Sequence, residues 1–401
     1  MSIVETVETV ENAMLSAAIR AALVVAPKKH PKSILTAVRI HAGPHGIEVT
    51  GNNLDCAFQA GLPTNETGAA VDIAVPRTAA ELWGKAGIER IEVESCAAAA
   101  AGIRAPVEDG REHPSIYVPS TAAAELSIPF PVLADVEKHI AAAADEESSR
   151  YALGGVYVES GAGCVRFVGT DGRRLHVFRF ARPSEGAFHH VIPAFAIAAA
   201  VKCIGLTIDG RGAAKKKAAA AMLVRLEVDE KGRGAFRWIV GNCNFILSFR
   251  CIEGRFPRYR DVFPAWVESG SGLAGWLNAA DVAYHAETCR KTVCTENSKG
   301  VDIVGPGAGH NCAMLARSAE RGEYDRPIVA SLPIGFSRKL DPRFLVDAIR
   351  AAVQFSGGAA DVELFATMGK GEAVYLGKPG DVFRDGAGNC FAAVIMPLAA
   401  D

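Results

Sequence analysis

The stretch Val168-Gly-Thr-Asp-Gly-Arg-Arg-Leu-His176 lies between two alternating runs and reads as a tight turn joining two strands. Asp171-Gly172 supplies the turn pair: Gly tolerates positive φ, and Asp can bond its own backbone two residues on. A hairpin turn alone carries no function. It decides the fold because the same grammar recurs. Val38–Asp55 runs strand, Gly turn, strand, polar turn; Val156–Gly172 repeats the scheme, with Thr50 and Thr170 at matching places; Gly300–His310 opens a looser third copy. Internal repetition of this kind sets the architecture before any single element is read.

A helix is expected before each copy, over Glu11–Val25, Pro131–Asp145 and Ala279–Cys294. A second is expected after each, over Arg77–Ala86, Ala194–Ile204 and Arg343–Phe355, where Asp341 and Pro342 suit the N-cap and first helical position. Alternating strands follow, such as Ala221–Val228 and Phe236–Arg250, and the first two repeats end on related segments, Arg111–Pro119 and Gly254–Pro264. The fold class is therefore α+β, with three repeated domains over 1–127, 128–264 and 265–401, each built of antiparallel strands and two helices. The basic segment Gly210–Ala218, with Lys215, Lys216 and Lys217, and the Gly- and Asp-rich segment Gly377–Gly388 read as exposed loop tips.

Composition narrows the class. The 401 residues are 49% hydrophobic and 22% charged, which is ample for packed cores. A net charge of −2 excludes a grossly basic protein but not a local basic surface, because the total hides the distribution. The longest apolar runs fall short of the roughly 18 residues of a membrane span. The acidic start Met1-Ser-Ile-Val-Glu-Thr-Val-Glu lacks a secretory signal, so the expected location is cytoplasmic. The 10 cysteines include no Cys-x-x-Cys pair and read as small buried hydrophobes, with no metal site or cofactor expected. No nucleophile elbow, phosphate-binding loop or His-Glu-x-x-His motif occurs, and an enzyme is not expected.

Four segments in this order and spacing, Ser149–Leu153, Gly169–Leu175, Gly254–Pro264 and Ala393–Leu398, give the chain a resemblance to the bacterial DNA polymerase III beta subunit, the sliding clamp. Softer matches lie at Lys32–Leu35, Leu54-Asp55 and Ile334–Phe336. The resemblance implies a homodimeric ring, helices inside and sheets outside, that encircles and slides on duplex DNA, is loaded by a clamp-loader ATPase, and tethers replicative and repair polymerases through short peptides. It places a hydrophobic peptide pocket at Leu153, Thr170, Gly172, Arg173, Arg174, Leu175, Pro257, Val262, Val394, Met396, Pro397 and Leu398. Taken singly, Leu153, Leu175 and Val394 read equally as core. An apolar chain end such as Met396-Pro397 frays unless it docks, which favours the pocket.

A sliding protein must hold DNA without reading it, and phosphate contacts by Lys and Arg do this. The candidates are Arg20, Lys28, Lys29, Arg77, Lys138 and Lys202 on or beside the expected helices, and Arg150 and Tyr151 in a family-matching segment. For ring closure, the resemblance sets Ile103 and Ala105 of one copy against Thr292 and Val293 of the other. The chain departs from the family pattern at Arg173, where His is common, at Asp261, where a basic residue is common, at Ala152, where an aromatic is frequent, at His113-Pro114, and at the terminal Ala399-Ala400-Asp401. These departures leave open a clamp-like paralogue that serves as an interaction scaffold without a normal replication role.

Overall fold

Two hairpins organise the chain, and both are built the same way. Gly46–Asn52 pairs with Cys56–Leu62, and Cys164–Thr170 pairs with Arg174–Phe180, each with four residues between the last paired positions. The strands are rich in Val, Phe and Ile, which suit a pleated, packed surface. A computed structural model of the chain describes residues 5–8, 12–64, 70–88, 90–94, 96–115, 117–119, 121–145, 152–161, 163–208, 210–269, 272–307, 311–367 and 371–398. The fold is α+β, and it divides into two units, Met1–Ala134 with Phe195–Ile252, and Asp135–Ala194 with Glu253–Asp401.

In the first unit a nine-stranded antiparallel sheet runs Ala124–Pro129, Leu223–Val228, Arg233–Val240, Cys243–Arg250, Cys56–Leu62, Gly46–Asn52, Val38–Gly43, Val71–Val75 and Glu108–Asp109. In the second, a nine-stranded sheet runs His189–Pro193, Gly155–Gly161, Cys164–Thr170, Arg174–Phe180, Cys390–Ile395, Val374–Gly377, Asp361–Phe365, Leu273–Asn278 and Ala330–Ser331. Each unit also carries a four-stranded sheet, and each gathers chain from two of the sequence repeats. Each large sheet has its own central joint: Cys243–Arg250 adds to the first hairpin, and Cys390–Ile395 adds to the second.

The pairing corrects the expected match of Thr50 with Thr170. Asn52 faces Ala57 and Thr170 faces Leu175, so Asn52 is the counterpart of Thr170, the last strand residue before the turn. Gly51 and Gly169 then coincide, and one reason explains both. A Cβ on Gly51 would lie 2.2 Å from the Ala22 carbonyl oxygen, and a Cβ on Gly169 would lie 2.1 Å from that of Ile140. In each hairpin a helix backbone rests directly on the strand, and only glycine leaves room for it.

The helices cover one face of each sheet. In the first unit these are Asn12–Val25, Arg77–Ala86 and Ala194–Thr207; the Cys203 thiol of the third donates to the Ala21 carbonyl of the first at 3.5 Å. In the second unit, Ala279–Thr292 packs against Pro342–Phe355, whose N-terminus is capped by Asp341 accepting from the Arg343 N–H at 2.9 Å. Phe355 stacks on Phe178 and Phe391, with ring centroids 4.1 and 5.4 Å apart, tying this helix to the sheet joint. The helix expected over Pro131–Asp145 is regular only through Phe130–Asp135; Val136–Ile140 widens into a π turn and Ala141–Ala143 tightens into a 3-10 turn. Eight of the ten cysteines are buried and all are unpaired, as small hydrophobes would be.

Two expected loop tips differ. The Lys215–Lys217 segment is helical over Gly212–Ala221, because six alanines of high helix propensity surround the lysines. The Gly377–Gly388 segment is only partly exposed, at Lys378, Arg384–Gly386 and Gly388. Val382 is fully buried, the Arg166 Nε donates to its carbonyl at 2.7 Å, and Arg179 donates to the carbonyls of Ala387 and Gly388.

Candidate functional site

The second hairpin's turn is held by its own side chains. Asp171 Oδ1 accepts from the N–H groups of Arg173 and Arg174, both at 2.9 Å. Thr170 Oγ1 donates to the Arg174 carbonyl at 2.6 Å and accepts from the Gly172 N–H at 3.1 Å. Gly172 adopts φ +82°, the left-handed conformation that glycine enters at no steric cost.

The strand that leaves this turn meets the last strand of the chain. Leu175 faces Val394, and Val394 faces Tyr375. Directly opposed residues share a sheet face, so Thr170, Leu175, Val394 and Tyr375 form one row. His176, Phe178 and Phe391 belong to the opposite, helix-facing side. The Thr170–Tyr375 row is nearly closed to solvent, with Leu175 5% and Val394 2% exposed. Beside it stand two exposed apolar side chains, Met396 at 44% and Val262 at 38%.

Val262 is set there by a buried polar clasp. Glu159 accepts from Arg166 at 3.3 Å, from the Tyr259 hydroxyl at 3.2 Å, and from Arg260. Tyr259 and Arg260 belong to the segment that carries Pro257 and Val262, so one carboxylate pins that segment onto strand Gly155–Gly161. Burial pushes the Tyr259 hydroxyl pKa up, with the Glu159 carboxylate adding to the effect, so the phenol stays protonated and donates. The Tyr375 hydroxyl donates to the Val262 carbonyl at 2.9 Å, which joins the segment to the Leu175–Val394–Tyr375 row. The chain end also docks: the Met396 N–H donates to the Arg173 carbonyl and the Leu398 N–H to the Lys339 carbonyl, both at 2.9 Å.

The structure therefore brings Thr170, Gly172, Arg173, Leu175, Val262, Val394 and Met396 to one sheet end. Leu153 is buried at 7% exposure, its neighbour Ala152 lies against Gly254, and Pro257 and Pro397 are half-buried. Leu398 packs toward Gly300. Arg174 behaves differently from a pocket wall. Its guanidinium donates to Asp347 and to the Ala142 carbonyl, both at 2.6 Å, and covers the Phe344 ring at 4.5 Å, all on the helix side. Asp261 is exposed and paired with Arg258 at 3.1 Å, so the rim charge it adds is locally balanced. The Glu159 clasp was missed in the sequence; a Glu in an otherwise apolar strand, opposite Arg166, was the available signal.

The candidate cations separate into two kinds. Lys28, Lys29, Lys138 and Lys202 are exposed and, among the described residues, make no ion pair. Arg20 donates to the Gly84 carbonyl at 3.0 Å. Arg77 is committed: it donates to the carbonyls of Ala26 at 2.7 Å and Leu23 at 3.3 Å and pairs with Glu81 at 2.8 Å, so it caps the C-terminal end of helix Asn12–Val25. Arg150 and Tyr151 lie outside the described residues. Of the residues assigned to ring closure, Ile103 and Ala105 lie on Ile103–Pro106, an edge strand of a four-stranded sheet, while Thr292 ends a helix and Val293 is buried. Among the described residues, no group of three or more His, Cys, Asp or Glu is placed to hold a metal, and no helix is long and apolar enough to cross a membrane.

This architecture is that of the bacterial sliding clamps. The chain is similar to the DNA polymerase sliding clamp from Pseudomonas aeruginosa, with 17% identity and a TM-score of 0.78 over 99% of this chain and 100% of that one. It is likewise similar to the sliding clamp from Bacillus subtilis, at 16% identity and a TM-score of 0.77 over 100% of both chains. The beta subunit from DNA polymerase of Streptococcus pyogenes matches at 15% identity and a TM-score of 0.78 over 99% of this chain and 100% of that one. No protein-family model matches the sequence, and no curated protein matches it.

Proposed function

We propose that the chain is a DNA polymerase processivity factor. Two copies, each of three clamp domains over 1–127, 128–264 and 265–401, close into a ring that encircles duplex DNA and slides on it without chemistry of its own. The pocket at Leu175, Val394, Val262 and Met396 tethers the replicative polymerase, the clamp loader and repair polymerases through short peptides. The observation that carries this reading is the clamp fold along the whole chain, joined to an apolar floor with an exposed Met396 beside it. An exposed, unbranched Met at the edge of a closed apolar row suits varied peptide side chains.

Exposed Lys28, Lys29, Lys138 and Lys202 are the cations best placed to meet phosphates, since none is spent on a carboxylate among the described residues. Arg150 and Tyr151 remain part of the proposal. Closure pairs Ile103–Pro106, whose outer edge is open among the described residues, with the other copy near Thr292, Val293 and the open edge strand Gly322–Pro327.

The test is retention. Ring loaded by the clamp loader should stay on nicked circular duplex and run off the same duplex once it is linearised. Equal retention on both overturns the sliding mechanism. A ring that forms but neither loads nor binds polymerase peptides would leave the scaffold paralogue as the better description.

A further inference from the structure

The first unit contains a second cleft at the place equivalent to the peptide pocket. Its hairpin turn repeats three of the other's side-chain bonds. Asn53 Oδ1 accepts from the N–H groups of Asp55 at 3.1 Å and Cys56 at 2.7 Å, as Asp171 Oδ1 does from Arg173 and Arg174. Asn52 Oδ1 accepts from the Leu54 N–H at 2.7 Å, as Thr170 Oγ1 does from Gly172. The left-handed position, Gly172 at φ +82°, is here Leu54 at φ +78°. A leucine is disfavoured in this conformation, and its side chain is 64% exposed. An apolar side chain held out in strained backbone gains nothing for folding.

The floor and rim differ from the pocket in the second unit in one direction. The row Leu175–Val394–Tyr375 is replaced by Ala57–Ser248–Ala235, which opens a cleft of about 170 Å³. Tyr117, 55% exposed, takes the place of Val262, with the Arg233 guanidinium 3.7 Å over its ring. Arg250 takes the place of Met396, directly opposite Arg233. Like charges in opposed positions repel. Arg233 is neutralised by Asp229 at 2.6 Å, whereas Arg250 has no ion pair among the described residues. Asp55 stands on the turn where the other pocket has Arg173, so the cleft is negative at the turn and positive at the strand end.

We propose that this cleft is a second docking site for a partner protein's extended segment, one that seats a large apolar side chain on Ala57 and Ser248 and sets an acidic residue against Arg250. The small floor provides the volume, Leu54 and Tyr117 provide the apolar lips, and the unpaired Arg250 sets the charge. The inference rests on the reading of the second-unit pocket as a peptide site. It assigns the two clefts to ligands of different chemistry, so one chain holds two unlike partners at once.

The experiment is a fluorescence-anisotropy titration of the full chain with a labelled heptapeptide, Gly-Ser-Asp-Trp-Asp-Ser-Gly, and its counterpart with Lys for Asp. The acidic peptide should bind about tenfold more tightly than the basic one, a difference of about 1.4 kcal/mol. Arg250→Glu should reverse that preference, which a merely structural residue would not do, and Ala57→Leu should abolish binding by filling the floor. Met396→Ala with Leu175→Ala should leave it unchanged. The proposal is overturned if both peptides bind equally, if Arg250→Glu leaves the preference intact, or if binding depends on Met396 instead. Loss of self-association in the Arg250→Glu chain would make a second copy the occupant and overturn it too. If an apolar hexapeptide still binds through Met396 while the acidic peptide does not bind, this inference fails alone. If neither binds, the reading of the second-unit pocket fails with it.

Discussion

Single residues carry more of this fold than their exposure suggests. His176 is fully buried on the helix side of the hairpin, and its Nδ1 donates to the His139 carbonyl at 2.7 Å. Burial lowers its pKa from 6.5 to about 4, because the charged ring loses its water. A lowered folded-state value means that the neutral ring is favoured by folding. The stabilisation is complete above pH 6.5 and is lost as pH falls from there toward 4, at about 1.4 kcal/mol per pH unit and roughly 3 kcal/mol in all. Urea unfolding of wild type and His176→Gln between pH 7.5 and 4.5 reads this directly. The wild-type slope should exceed the variant's by about one proton, and parallel slopes would refute the assignment. Leu54 illustrates the opposite balance: replacing it with Gly would relieve a left-handed strain of about 1 kcal/mol while removing a lip of the proposed second cleft.

At the scale of elements, the turn and helix starts were readable in advance because their chemistry is local. Asp171-Gly172 and Asp341-Pro342 satisfy backbone groups within three residues of themselves, so sequence spacing contains the whole reason. The Lys215–Lys217 segment reads as a loop from its charge, but the propensity of the alanines around it makes it helical, also a local cause. The Glu159 clasp was not readable, since its partners Tyr259 and Arg260 lie about a hundred residues away. Its role predicts a particular defect. Glu159→Gln removes the charge that Arg166 and Arg260 share and leaves buried Arg166 without its counterion, which should cost roughly 3 kcal/mol. It should also free the Pro257–Val262 segment. Amide exchange over residues 255–263 should rise in the variant well before global unfolding; unchanged protection there would show that the clasp does not hold the wall.

The whole molecule repeats one device twice: a hairpin from one repeat receives a strand from the next, and a later loop closes over the joint. Each large sheet has the same order through eight strands, and each four-stranded sheet keeps open edges among the described residues. Open edges invite pairing with another chain. Sedimentation equilibrium at micromolar concentration should therefore return twice the 42.2 kDa chain mass. A strictly monomeric chain at that concentration would remove the closed ring.

Sequence by itself determined the α+β class, the repeated hairpins and five of the six helices to within three residues. These rest on periodicity, caps and turn chemistry, which act over a few residues. Only the tertiary structure decided that Leu175, Val394 and Tyr375 share one row, that Arg174 and Arg77 are structural clasps, and that Asn52, not Thr50, matches Thr170. Register across a sheet and the partner of a long side chain depend on which strands meet, and that is settled by packing between segments far apart in the chain.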